Sequence, residues 1–169
     1  ALYGRPGVAP ALLGLQDRRG VDVNLLLYCC WMGSGGQLLS QADLAKARDV
    51  GLVWQQEIVH PLRAARRRLK QGFPGLNEES VETLRRRLGD IEIEAERVAQ
   101  DAMAGLRPIS TNRDSPGGVA AAAVTAANLK TYLRMREIRI AAAEENDLLA
   151  ILRGCFPGAA LDELSFADG

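Results

Sequence analysis

Residues 8–31, VAPALLGLQDRRGVDVNLLLYCCW, decide how this chain folds. Two apolar runs, Val8 to Leu15 and Val23 to Trp31, flank a short turn rich in charge and glycine. In the first run Val8, Ala11, Leu12 and Leu15 recur at three- and four-residue spacing, the mark of a helix with one buried face. The second is apolar nearly all round, which predicts a helix over residues 23–32 enclosed by others on every side. Gly20 is placed to end the first helix and Asp22 to cap the second. Pro6 suits a first helical turn, where its missing N–H is harmless, and Gly33-Ser34-Gly35-Gly36 reads as the stop of the central helix.

Outward from this stretch the chain continues in helices. Ser40 is the expected N-cap of a third helix reaching about Asp49, with Gly51 a doubtful point of passage. Leu52 to Lys70 carries apolar residues at helical spacing, but Pro61 predicts a kink or a fresh start at His60. Asn77 is placed to cap a long fifth helix ending near Gly105, with Gly89 as its weak point. Val81, Leu84, Leu88, Ile91, Ala95, Val98 and Ala102 form a three-and-four stripe along it. Residues 107–118, polar and rich in proline and glycine, read as a mobile loop. A sixth helix follows from Val119 to about Ile138, its alanine-rich start suited to close helix approach. A seventh covers Glu144 to Leu152 and is open to being continuous with the sixth. The tail over 157–169 is expected to attach loosely, with Leu161, Leu164 and Phe166 as docking residues.

The composition agrees with an all-α fold. Aromatics are 5% of the 169 residues, no alternating β-branched pattern occurs, and 47% hydrophobic content suffices for one core. The expectation is one domain over 1–169, a bundle of six to seven helices around residues 23–32. Lys plus Arg and Asp plus Glu each number 21, so bulk charge gives no attraction to nucleic acid. No apolar run approaches the roughly 20 residues of a membrane span. Cys29, Cys30 and Cys155, an odd set without a framework, read as reduced thiols of a cytoplasmic protein. The chain opens inside an apolar pattern at Ala1-Leu2-Tyr3, so the native start is expected to lie further upstream.

The string PGVAPALLGLQDRRGVDVNLLLYCCW, with PLRAARRRLK at Pro61 to Lys70, resembles a family of small proteobacterial proteins of unknown function. The resemblance implies a mostly helical, cytoplasmic protein of about this length. It implies no activity, cofactor or catalytic residue.

Four clusters are candidates for function. Gln16, Asp17, Asp22 and Asn24 supply oxygen atoms around the first turn. With Arg63 they would line a polar pocket for a hard cation or an anion, although turns recruit Asp and Asn for structural reasons as well. Arg63, Arg66 and Arg67 lie in an arginine-rich run. Arg63 and Arg67 are suited to internal carboxylates, Arg66 and Arg68 to an external anion or partner. Glu57-x-x-His60 has di-metal spacing but lacks the second motif such a site requires, since the chain has one histidine. Finally, Arg85-Arg86-Arg87 and Glu92, Glu94 and Glu96 place opposite charges on neighbouring turns of the fifth helix, where two copies would complement each other. No phosphate loop, dinucleotide fingerprint or nucleophile elbow is present, and no cofactor is expected. The leading expectation is therefore a non-catalytic binding or adaptor protein that engages a protein partner or a second copy of itself. The rival is an enzyme or small-ligand binder built on Asp17, Asp22, Asn24 and Arg63.

Overall fold

The computed structural model describes residues 2–106, 118–161 and 164–166. Residues 107–117, where the sequence predicts a loop, lie outside the described residues. Among those described, all regular structure is helical. A 3-10 turn at Leu2–Gly4 precedes α1 (Val8–Arg19), α2 (Val23–Ser34) and α3 (Gln41–Trp54). A π-helical turn (Gln55–Val59) leads into α4 (His60–Leu69), and α5 (Glu78–Ala104), α6 (Gly118–Met135) and α7 (Ala142–Cys155) follow. The chain divides into two compact units, residues 1–46 with 107–169 and residues 47–106, the division falling within α3.

In the first unit α2 is the core helix. Leu25, Leu26, Tyr28, Cys29, Cys30 and Met32 are buried, and its main neighbour is α6. The two helices cross at Gly33 and Thr125. A Cβ on Gly33 would lie 2.5 Å from the Thr125 Cα and 2.8 Å from its backbone N, so only hydrogen fits there. Ala121, Ala122 and Ala126 keep the rest of the α6 face low and are buried in the same contact. Asn128, fully buried, satisfies all of its amide: it donates to the Gln37 carbonyl at 2.9 Å and the Cys29 carbonyl at 3.3 Å. It also accepts from the Leu39 N–H at 2.8 Å. This fixes the chain leaving α2 against α6. At the other end the Asp22 N–H donates to the Tyr132 hydroxyl at 2.8 Å, and burial pushes that phenol up to about 12.

Helix α1 packs on α7, and the two are tied by charge. Glu144, 1% exposed, accepts from Arg19 Nε at 3.0 Å, lies 3.5 Å from Arg18 Nε, and reaches back to the Ala141 N–H. Arg18 also pairs with Asp147. Of the tail, Leu161 and Phe166 are buried and Leu164 is half-buried; the Phe166 N–H donates to Glu145 at 3.0 Å.

The second unit is built from the end of α3, the π turn, α4 and α5. Its interior is thin: Ala47, Val59, Ala95, Ala99 and Met103 are buried, together with the Glu92 carboxylate. Trp54 Nε1 donates to the Ala95 carbonyl at 2.8 Å and joins α3 to α5.

Gly20 ends α1 with φ 62°, Asp22 caps α2, Ser40 and Asp43 cap α3 reciprocally, and Asn77 caps α5, as their spacing predicts. Three expectations are corrected, and one is given its form. Pro6 precedes α1, and the proline in its first turn is Pro10, where no N–H is needed. Gly33 lies inside α2, because the close crossing with Thr125 demands glycine there; the positive φ of 76° is at Gly36. At Pro61 the expected break is a π turn, after which α4 begins at His60. The His60 N–H donates to the Gln55 carbonyl, five residues back, and one widened turn absorbs the proline. Finally, α6 and α7 are separate. Glu137 at φ 54° lets the Ile138 N–H return to the Leu133 carbonyl, and this closes α6.

The crossing yields a prediction. Gly33→Ala should lower the free energy of unfolding by about 2–3 kcal/mol, because the clash is with backbone that has nowhere to go. Gly51→Ala, in helical backbone with nothing within 4 Å of the added Cβ, should raise it by about 0.5–1 kcal/mol. Urea titrations of the two variants against the parent measure both signs.

Candidate functional site

The strongest concentration of charge in the second unit lies between α4 and α5. Three turns of α4 project Arg63 and Arg66 to one side, and α5 answers with Glu92 and Glu96 one turn apart. Arg63 Nε donates to Glu92 Oε1 at 2.7 Å and its Nη2 to Glu96 Oε1 at 2.6 Å, while Arg66 Nε donates to Glu92 Oε2 at 2.7 Å. Both oxygens of Glu92 are thus occupied by guanidinium N–H groups. Burial of Glu92 opposes its ionisation, yet the hydrogen bonds from Arg66 and Arg63 outweigh burial and hold it below the ordinary carboxylate value. Arg63 is subject to the same contest: burial disfavours its charge, and Glu92 and Glu96 more than restore it. Gly89 places no Cβ beneath the Arg66 stem, whose Cδ runs 3.4 Å from where one would be. Helix α5 continues through Gly89. Arg63 is an internal partner as its spacing suggests. The second arginine of the clamp is Arg66 rather than Arg67, which is exposed, and Arg68 lies 4.0 Å over the Phe73 ring.

The face of α5 beside this clamp is apolar and uncovered. Leu84, Ile91 and Val98 are 51%, 47% and 51% exposed. Spaced by seven, they form one line along the helix. Arg87, Glu94 and Asp101, all exposed, run parallel to it at the same spacing. Nine of the fourteen exposed large apolar side chains among the described residues belong to this unit. An unpaired apolar line bordered by charge is the usual form of a helix docking surface.

Asp22 Oδ1 accepts the Asn24 N–H at 2.8 Å, Asn24 is buried, Gln16 is half-buried, and Asp17 is exposed on α1. Asp17, Asp22 and Asn24 belong to the first unit and Arg63 to the second, where Arg63 is held by its own carboxylates.

Residues 1–103 match a family whose description is Protein of unknown function (DUF2390). The chain belongs to this family. The DUF2390 match spans the first turn, the arginine clamp and nearly all of α5, and so takes in the exposed line of Leu84, Ile91 and Val98. No curated protein and no solved structure matches the chain. Within the DUF2390 region Glu57 and His60 are both exposed, Glu57 in the π turn. No group of three or more His, Cys, Asp or Glu side chains suited to a metal ion occurs among the described residues. The sequence reading missed Arg5, whose Nη1 donates to the Gly154 carbonyl near the end of α7.

The clamp makes stability depend on pH. Because its native pKa lies below the ordinary 4.5, Glu92 stabilises the fold fully above that value and loses its contribution as pH falls through the native one. Glu92→Gln should cost about 2–3 kcal/mol at neutral pH. It should also flatten the fall in melting temperature below about pH 4.5, relative to the parent. Thermal melts from about pH 3 to 7 check both effects.

Proposed function

We propose that the chain is a non-catalytic binding protein of the bacterial cytoplasm, and that the outward face of α5 is its docking surface. The observation that carries this reading is the exposed line of Leu84, Ile91 and Val98. The occupant it fits best is α5 of a second copy, running antiparallel. With Ile91 at the centre of such a pair, Leu84 of one copy lies beside Val98 of the other. Arg87 then comes close to Glu94 across the seam, twice by symmetry. The thin interior of the second unit supports the same reading, since covering this line would enlarge its apolar contact. The balanced net charge supports a protein rather than a nucleic acid as partner. The pocket alternative finds less support, because Asp22 and Arg63 are engaged in an N-cap and an ion clamp.

Light scattering over a concentration series tests the proposal. The parent should gain mass towards a dimer with increasing concentration. Ile91→Asp should weaken the association at least about tenfold, and Arg87→Glu by a few-fold, with Glu94→Arg added to Arg87→Glu restoring it. Charge reversal at Arg86 together with Arg87 should weaken it further. A mass that stays monomeric throughout, with no change between parent and Ile91→Asp, overturns it.

A further inference from the structure

In the second unit α4 and α5 lie side by side and run in opposite directions. Arg63 reaches Glu96, whereas Arg66, later on α4, reaches Glu92, earlier on α5. The Arg63–Glu96 bond marks one face of this two-helix layer. Leu62, Ala65 and Leu69 lie about 100–160° round α4 from Arg63, and Leu84, Ile91 and Val98 about 120–160° round α5 from Glu96, in the same rotational sense. In antiparallel helices that sense leads to the same face of the layer, the one turned away from the ion pair. Ile58, one turn ahead of Leu62, prolongs the α4 line and is 37% exposed. Ala65 is exposed, and Leu62 and Leu69 are half-buried. Although α4 carries Arg63, Arg66, Arg67 and Arg68 within its 10 residues, this line holds no charge.

We propose that α4 carries half of the self-association surface, so that two copies of the chain stack layer on layer into a four-helix bundle. The inference rests on the proposed pairing of α5 with its copy and extends that seam to the neighbouring helix. A twofold axis that crosses the helices at Ile91 sets α5 antiparallel on α5, and the same axis sets α4 antiparallel on α4. With Ala65 near the middle, Leu62 of one copy comes beside Leu69 of the other, as Leu84 comes beside Val98 on α5. The small side chain of Ala65 lets the two α4 helices approach closely. A layer of two helices has one internal contact, and here that contact buries little beyond Val59, Ala95, Ala99 and Met103. Stacking a second layer on the apolar face closes the ordinary bundle interior around both lines. A nucleic acid or an acidic protein would instead seek the arginines, but Arg63 and Arg66 are neutralised by Glu92 and Glu96. An apolar line that is uncharged along α4 is matched by a copy of itself.

The test uses the full chain, with light scattering over a concentration series and circular dichroism to follow folding. Ala65→Arg and Ile58→Asp should each weaken dimerisation at least about tenfold, with the helical signal of the dilute protein unchanged. The melting temperature of the parent should rise with concentration, and that of Ala65→Arg should rise less. Leu13→Asp, at an exposed apolar residue of α1 in the other unit, should associate as the parent does. Should Ile58→Asp fail to fold, Ala65→Arg at its exposed position decides the matter. If Ile91→Asp weakens association while Ala65→Arg and Ile58→Asp match the parent, the α5 seam stands and the four-helix stack is overturned. Equal weakening by Leu13→Asp also overturns the stack, and a parent that stays monomeric overturns both.

Discussion

The first unit depends on one point of closest approach, where Gly33 of α2 meets the backbone of Thr125 on α6. Two helices brought this near leave no room for a side chain at the crossing, and the alanines of α6 let the contact extend on either side. Two polar side chains further along α6 use the same approach. Asn128, one turn on from Thr125, is placed to bind the Gln37 and Cys29 carbonyls and the Leu39 N–H. Tyr132, a further turn along, receives the Asp22 N–H and so sets the start of α2. A buried polar group without a partner costs about 1–3 kcal/mol, and none is found among the buried side chains described.

In each unit one buried carboxylate is answered by two arginines. Glu144 faces Arg19 and Arg18, and Glu92 faces Arg63 and Arg66. The arrangement fixes helix pairs in register, α1 with α7 and α4 with α5, because a buried carboxylate must be met by hydrogen-bond donors, here guanidinium groups from the facing helix. In the second unit this clamp does much of the joining, since the apolar interior beneath it is small. The same economy leaves Leu84, Ile91 and Val98 outside.

The stripe on α5 was visible in the sequence, and so were the charges beside it. What periodicity does not reveal is which flank of a wide stripe faces inward. Ala95 and Ala99 are buried, and Trp54 of α3 donates to the Ala95 carbonyl, while Leu84, Ile91 and Val98, which look equally fit for a core, are left over. The arginine clamp was half legible for the same reason. Arg63 and Arg67 share a face by spacing, but the widened turn at Gln55–Val59 and the gap over Gly89 bring Arg66 to Glu92 instead.

By itself, the sequence determined the local events. These were the helices, the caps at Asp22, Ser40 and Asn77, the left-handed stop at Gly20 and the burial of most of residues 23–32, although Trp31 there is 53% exposed, because each depends on groups a few positions apart. The tertiary structure decided what depends on groups brought together from afar. It placed Gly33 inside a helix because Thr125 lies across it, passed the chain into Pro61 through one π turn, and set Arg66 against Glu92. No window of sequence contains both members of such a contact, so no local pattern announces it.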